Sequence, residues 1–484
     1  MADNLKKKAV KGTAWSAIDN IANNGVSFLV GIILARLLSP AEYGQIAIIT
    51  IFIALFNSLV DSGFSNALIR KNNVKDVDYC TVFYFNLIVS IFLFWALFFA
   101  SPYISQFFNQ PTIISPMRVM GIIVIINALS IVQRTRLIKN IDFKTQTKIS
   151  LIASISSGCV GITLAYLGYG VWSLVFQQIS RQLLNSIFLW FFNKWVPSLQ
   201  FSVESFKEMF SFGWKLLVSG LIDTIWKDIY KLVIGKFYMP ATLGQYERAA
   251  QFRKIFSSNL TSIIQRVSYP VLSSVNDDPV RLKRAYQKVI KTTMFVTFCA
   301  MLGLAAVARP MILTLIGEKW MQSVGFLQII CFSGMMYPLH AINLNMLQVQ
   351  GRSDLFLKLE IIKKIIAVGP LLLGIFINIY WMLIGSVFTG FFAYYLNTRY
   401  SGKEIGYPAS EQIKDILPSF TIAVIMALAV YPLSYINMPQ LPLFIIQIIT
   451  GVALVILLSK ISKNQEYLEL KNIVLSFINR KHGK

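Results

Sequence analysis

Between residues 212 and 266 the chain sets ionisable side chains where apolar ones belong. One segment of membrane-spanning length carries Asp223, Lys227, Asp228 and Lys231, and the next carries Glu247, Arg248, Arg253, Lys254 and Arg266. Ionisable groups at bilayer depth are costly unless they face a polar interior, so they mark functional positions by default. Lys215 and Lys236 lie at segment ends, where a long side chain reaches the interface. Among the rest, Lys227, Lys231, Arg248, Arg253, Lys254 and Arg266 outnumber Asp223, Asp228 and Glu247, a surplus that suits an anionic ligand. Arg and Lys donors in a low dielectric bind phosphate strongly, Arg through its planar fork. Asp223 and Lys227 have the i, i+4 spacing of a pair, and Arg253 lies on the far side of its helix, where it would meet another helix. Lys231, Arg248 and Lys254 are the better phosphate donors.

Helical spacing extends this pattern into stripes. Ser16, Asn20, Asn23 and Ser27 share a face of the first span, flanked by Asp19 and Asn24. Thr50, Asn57 and Asp61 line up in the second, Gln177, Arg181 and Asn185 in the sixth, and Asp223, Lys227 and Tyr230 in the seventh. Glu247, Gln251, Lys254, Ser258, Thr261 and Gln265 run the length of the eighth. Single Asn or Ser groups in membrane helices commonly join one helix to another. A full-length stripe of mixed charge fits a water-filled path better. The expected substrate-binding set is Lys227, Lys231, Arg248, Lys254, Arg266, Gln251, Asn20, Asn23 and Arg181. Asp19, Asp61, Asp223 and Glu247 are the candidates for coupling transport to protons or sodium. The first, second, seventh and eighth spans would line a central cleft between two halves. Trp214, Trp226, Tyr230 and Tyr246 have the ring faces on which sugars stack, although packing or interfacial anchoring is the commoner role. His340, the one histidine at membrane depth, is read as a satisfied buried side chain before a proton relay. Cys80, Cys159, Cys299 and Cys331 are scattered at a spacing that suits neither a metal site nor a disulfide framework, and neither a metal nor a cofactor is expected.

The elements that must position these residues follow from composition. Only 14% of the 484 residues are charged and 55% are hydrophobic, whereas a soluble chain carries about 25% charged residues. Apolar runs of about 20 residues, enough to cross a hydrocarbon core, recur throughout. The fold class expected is an all-α polytopic membrane protein. The runs fall near 13–37, 43–63, 80–104, 114–133, 148–167, 170–192, 212–237, 243–272, 291–316, 324–347, 361–378, 381–398, 414–435 and 441–459, about 14 transmembrane helices. The net charge of +23 lies mostly in alternate loops, with Lys6, Lys7, Lys8 and Lys11 at the amino terminus. That is the positive-inside pattern, and it puts both termini in the cytoplasm. The lysines precede a long span with no small-residue cleavage site, as an uncleaved anchor would.

A repeat divides the chain. Pro240-Ala241-Thr242-Leu243-Gly244-Gln245 echoes Pro40-Ala41-Glu42-Tyr43-Gly44-Gln45 at an offset of 200, and Val233-Ile234-Gly235-Lys236 echoes Ile33-Leu34-Ala35-Arg36. Both halves start on the same side, so the repeat is parallel, about an axis along the membrane normal. The expected domains are 1–200 with spans one to six, 201–400 with spans seven to twelve, and 401–484 with the last two spans and a tail. Phe206, Met209 and Phe210 suggest that the connection 193–211 lies along the membrane interface.

The run Lys11-Gly12-Thr13-Ala14-Trp15 to Ser39-Pro40-Ala41-Glu42-Tyr43-Gly44, with Asp61-Ser62-Gly63-Phe64-Ser65-Asn66, resembles the start of bacterial polysaccharide repeat-unit flippases of the O-antigen and colanic-acid type. These belong to the multidrug/oligosaccharidyl-lipid/polysaccharide superfamily. The resemblance implies a multidrug-exporter-like fold of two six-helix lobes plus two further helices. It implies transport of undecaprenyl-diphosphate-linked oligosaccharide from the cytoplasmic to the periplasmic leaflet of a bacterial inner membrane, without enzymatic chemistry, alongside a polysaccharide polymerase. Other readings are a lipid II flippase or multidrug exporter of the same fold, and a membrane polymerase or glycosyltransferase. A drug exporter should show an acidic cleft, and a polymerase a large outer loop or an acidic metal-binding motif. The family has no short catalytic motif, so no site residue is carried over from it.

Overall fold

The structure, a computed structural model, describes residues 2–61, 63–257, 261, 272–275 and 278–482. It is 89% helical, with no strand among the described residues. The chain is an all-α polytopic membrane protein: ten of the described helical stretches are long and apolar enough to cross a bilayer. The segments expected at 170–192, 212–237, 243–272 and 361–378 are not among the ten. The first three carry stripe residues such as Arg181, Lys227 and Lys254, and the fourth carries Lys363 and Lys364. The eighth segment also runs partly outside the described residues.

The chain divides into two compact units, Met1–Gly244 and Gln245–Lys484. The first contains α1 (Ala2–Leu37), α2 (Pro40–Asp61), α3 (Phe64–Arg70), α4 (Asp76–Phe108), α5 (Ile114–Met120), α6 (Ile122–Lys139), α7 (Phe143–Tyr166), α8 (Val171–Asn193) and α9 (Val203–Phe237). Helix α10 (Pro240–Phe256) begins at the boundary. The second unit continues with α11 (Pro279–Ala306), α12 (Ala308–Leu315), α13 (Met321–Val349), α14 (Ser353–Phe376), α15 (Ile379–Ile405), α16 (Ala409–Val430), α17 (Gln440–Ile461) and α18 (Gln465–His482).

Local chemistry sets the helix ends. Pro40 and Pro240 open α2 and α10, where a missing N–H is harmless and φ is already helical. The Glu42 carboxylate reaches back to the Ser39 N–H at 2.6 Å and its hydroxyl at 2.8 Å, which fixes the α1–α2 turn. Asn378 caps α15 on the Trp381 N–H at 3.1 Å.

The connection 194–202 is anchored to protein on one side and leaves Val196, Leu199 and Phe201 exposed on the other. Trp195 donates to Asp76 at 2.7 Å, and its carbonyl accepts from Gln133 at 2.9 Å. Arg136 sits over the rings of Tyr79 and Trp195. Met209 is buried with Phe64, Leu68 and Trp195, and Phe206 packs against them. Lys71 bridges Glu208 at 2.8 Å and Asp78 at 3.1 Å. The hydrogen bond from Glu208 holds the Lys71 ammonium above its ordinary pKa. Residues 203–211 serve as the first turns of α9, held by an aromatic core and an ion triad.

Candidate functional site

Most of the candidate residues stand on α1, α8 and α9 of the first unit, and these can be built up from one close helix pair. Helices α1 and α7 meet at Gly158, where a Cβ would fall 2.5 Å from Val30 Cγ2. The small residue lets the two backbones approach, and polar side chains can then span the gap. The Asp19 carboxylate accepts from Asn23 Nδ2 at 2.6 Å and from the Ser150 hydroxyl at 2.5 Å. Asn23 Nδ2 also reaches Ser150 Oγ at 2.8 Å, and Asn23 Oδ1 accepts from Ser154 at 2.8 Å. The result is a ladder: Asp19, Ser150, Asn23, Ser154.

Helix α8 closes one side of this ladder. A Cβ on Gly161 would come within 2.8 Å of Gln177, so α7 and α8 are also tightly apposed. Arg181 projects from α8 with Nη1 3.4 Å from Ser27 Oγ, and its charge is felt by Asp19. Asn20 turns its amide onto its own helix, donating to the Ser16 carbonyl at 3.0 Å. Asn20, Asn24 and Arg181 remain exposed. A carboxylate, an amide, hydroxyls and a guanidinium therefore share one polar face. Ser150 and Ser154 were not singled out from the sequence. Their signal is the stripe Ser150, Ser154, Ser157, Gly158, Gly161, small residues that repeat on one face of α7.

Asp61 has a different task. It ends α2 and accepts from the Ser65 N–H at 3.3 Å and the Ser65 hydroxyl at 2.5 Å, across Gly63 in the left-handed region at φ 73°. It braces the α2–α3 turn and lies within electrostatic reach of Arg134.

On α9 the charges form two pairs. Asp223 and Lys227 meet at 2.6 Å with side chains 56% and 72% exposed. Asp228 and Lys231 meet at 3.1 Å on a more sheltered face, 19% and 22% exposed.

The second unit holds the remaining candidates. On α10, Arg248 is only 9% exposed. Its guanidinium donates to Gln251 Oε1 at 2.6 Å and lies 5.8 Å from the Trp320 ring centroid. Glu247 is half-buried, whereas Lys254 is exposed. Arg253 folds its stem against Gly334 of α13, 3.1 Å from where a Cβ would stand. Arg266 lies outside the described residues, as do Ser258 and Gln265 of the same stripe. His340 of α13 is half-buried, its Nδ1 3.3 Å from the Asn397 amide of α15. The four cysteines are free thiols, and no group of three potential metal ligands occurs among the described residues.

The structure thus joins Asp19, Asn23 and Arg181 on one face, pairs Asp223 with Lys227, and joins Arg248 to Gln251. It sets Asp61 apart at a turn.

Polar and charged faces on helices of spanning length, in a chain with an internal repeat, define the class: a polytopic membrane protein of transporter architecture. Its fold is that of the multidrug/oligosaccharidyl-lipid/polysaccharide superfamily. It superposes on the lipid II flippase MurJ in an inward closed conformation with a TM-score of 0.75, covering 93% of this chain and 98% of that one at 14% identity. It superposes on an inward-facing multidrug resistance MATE transporter with a TM-score of 0.63, covering 79% and 94% at 16% identity. The chain belongs to the polysaccharide biosynthesis protein family, whose model matches residues 33–325. It is 25% identical to an uncharacterized membrane protein of the cps region of Klebsiella pneumoniae, over 97% of this chain and 98% of the relative. It is 24% identical to the lipopolysaccharide biosynthesis protein WzxC of Escherichia coli K12, over 76% of each. To the teichuronic acid biosynthesis protein TuaB of Bacillus subtilis it is 25% identical, over 72% and 73%.

Proposed function

We propose that the protein flips undecaprenyl-diphosphate-linked oligosaccharide repeat units from the cytoplasmic to the periplasmic leaflet, for assembly of a surface polysaccharide. The observation that carries this reading is the family match across residues 33–325 of a chain whose α1, α8 and α9 carry polar and cationic side chains. The ligand has three parts, each with a fitting chemistry. The diphosphate requires cations, which Lys227, Lys231, Arg248, Lys254 and Arg266 supply. The sugars require amides and hydroxyls, which Asn20, Asn23, Gln251 and the serines of the α1–α7 ladder supply. The acyl tail can remain in lipid.

The protein works by alternating access, and its ligand shifts the equilibrium by binding one state better than the other. No bond is made or broken in this step. Among the coupling carboxylates, Asp19 has the most suitable surroundings: it sits among neutral donors and opposite Arg181, so protonation would change the whole ladder. Asp223 is already paired and Asp61 braces a turn, while Glu247 stands beside Arg248. The alternation of basic loops supports an orientation with both termini cytoplasmic, and the family of polysaccharide biosynthesis proteins supports a position in the inner membrane. A polysaccharide polymerase would take up the flipped units.

The test is complementation of a strain that lacks its own flippase for one surface polysaccharide. Lys231→Ala, Arg248→Ala and Lys254→Ala should each reduce polymer export at normal protein abundance, with lipid-linked units accumulating. Full export by all three variants would overturn the cationic wall.

A further inference from the structure

We infer that the two Pro-Ala-x-x-Gly-Gln turns are a seal on the outer end of the transport path, closed by backbone contacts that only glycine permits. The inference rests on the alternating-access reading and on the topology that puts these turns outside.

The contact is reciprocal. A Cβ placed on Gly44 would fall inside the carbonyl oxygen of Pro240, and one placed on Gly244 would fall inside the carbonyl oxygen of Pro40. The Gly244 Cβ would also come within 3.1 Å of the Gly44 nitrogen. The sequence repeat at an offset of 200 thus reappears as a local two-fold relation, in which each proline carbonyl abuts the other repeat's glycine. Real Cβ atoms do not approach carbonyl oxygens so closely, so any side chain at either position must drive the turns apart. The proline at each helix start holds its carbonyl in place by fixing φ.

Further contacts tie the seal to its surroundings in each repeat. Gln45 donates to Thr112 Oγ1 at 2.9 Å, within the short turn Pro111–Ile113. Gln245 donates to the Lys319 carbonyl at 2.7 Å and accepts from the Ser323 N–H at 3.0 Å, beside the matching turn Glu318–Trp320. Each glutamine therefore couples its glycine to the next outer turn of its own repeat. Lys236 donates to the Phe107 carbonyl and lies over the Phe107 ring, and Gly235 admits Phe108. The atoms that face each glycine are backbone atoms of the opposing turn, a geometry suited to weak Cα–H···O interactions. Backbone meets backbone at both glycines, so the approach leaves no room for a side chain at either.

The test uses the full chain in cells, with Cys80, Cys159, Cys299 and Cys331 replaced and a reporter cysteine at Asn24→Cys on the exposed face of α1. A membrane-impermeant maleimide is added from outside. In Gly44→Val and Gly244→Val the closed state is excluded, so reporter labelling should rise by about fivefold or more as the population shifts outward-open. Gly390→Val, at a glycine with nothing within 4 Å, should leave labelling unchanged. Unchanged labelling in both seal variants overturns the proposal. If the valine proteins fail to accumulate, Gly44→Ala and Gly244→Ala are read in the same way, because a single Cβ already meets the opposing carbonyl. Labelling needs no substrate, so failure of the polysaccharide reading would appear in the export arm alone.

Discussion

Two polar clusters in this molecule use the same residue types to opposite ends. The ladder of the first unit joins Asp19, Ser150, Asn23 and Ser154 between two helices, and Asn20, Asn24 and Arg181 beside it stay exposed. The hub of the second unit centres on Asn343 of α13. Its Oδ1 accepts from Tyr286 of α11 at 3.0 Å, Ser401 of α15 at 2.6 Å and Gln412 of α16 at 3.3 Å, and its amide donates to the Leu339 carbonyl at 2.9 Å. All four side chains of the hub are fully buried. Nearby, Asp415 accepts from Tyr407 at 2.7 Å and pairs with Lys291 at 3.4 Å. Counting hydrogen bonds does not separate a helix junction from the wall of a path, since both clusters are well bonded. The difference is whether unused polar capacity remains next to the bonded groups. The hub spends its capacity on four helices, whereas the ladder leaves amides and a guanidinium facing outward.

The hub should therefore break hardest. Asn343→Leu strands three buried donors at once, each costing about 1–3 kcal/mol when unpaired, so a loss near 3 kcal/mol is expected after relaxation. Thermal unfolding in detergent should show a large drop in midpoint, with export lost through loss of protein. An unchanged midpoint would mean that the hub is not the junction its geometry describes.

Next comes the helix contact beneath the ladder. Gly158→Val drives a side chain into Val30 and should cost about 1–3 kcal/mol by overpacking. The second-site change Val30→Ala should restore most of the midpoint. If it does not, the close approach of α1 and α7 is not set at this contact.

The ladder itself should be mild in stability and severe in transport. Ser154→Ala removes one interhelical hydrogen bond, worth about 0.6–1 kcal/mol in membrane helices. Asp19→Asn keeps an oxygen for Ser150 but removes the charge opposite Arg181. It should leave unfolding nearly unchanged while export falls about tenfold, the scale of a lost coupling between sites. Equal losses of export and of stability in Asp19→Asn would place the ladder with the hub, as a junction.

Much of this was legible in the sequence. The all-helical membrane class, the repeat and the family resemblance could be read from hydropathy and from Pro40–Gln45 against Pro240–Gln245. So could the Asp19–Asn23 face and the Asp223–Lys227 pair, because i, i+4 spacing puts those groups side by side whatever else happens. What could not be read was partnership across helices. Ser150 and Ser154 matter because Gly158 admits α1, and a single sequence does not say which helix a small-residue stripe will face. Asp61 sat on a plausible stripe, yet its oxygen is claimed by Ser65 one turn later, across Gly63, whose left-handed φ separates α2 from α3. Phe206 and Met209 have the pattern of an interfacial helix, and a single sequence does not say that they also pack with Phe64 and Trp195, which is anchored on Asp76.

The smallest expected effect sharpens the comparison most, because it lies on a surface with no junction role to lose. Asp223 and Lys227 pair at 2.6 Å, but both are mostly exposed, and such pairs contribute under about 0.5 kcal/mol. Lys227→Ala should therefore leave the unfolding midpoint within measurement error. Lys231, more sheltered and 3.1 Å from Asp228, should show a larger shift when replaced by alanine, since it leaves a carboxylate in a drier setting. Export then separates the two faces of α9. A drop in Lys227→Ala at constant stability would mean that the exposed pair takes part in moving the charged ligand, as open polar capacity on the ladder also suggests. Wild-type export in Lys227→Ala with a loss in Lys231→Ala would move the cation wall to the sheltered face, and exposure alone would no longer rank a polar cluster as part of the path.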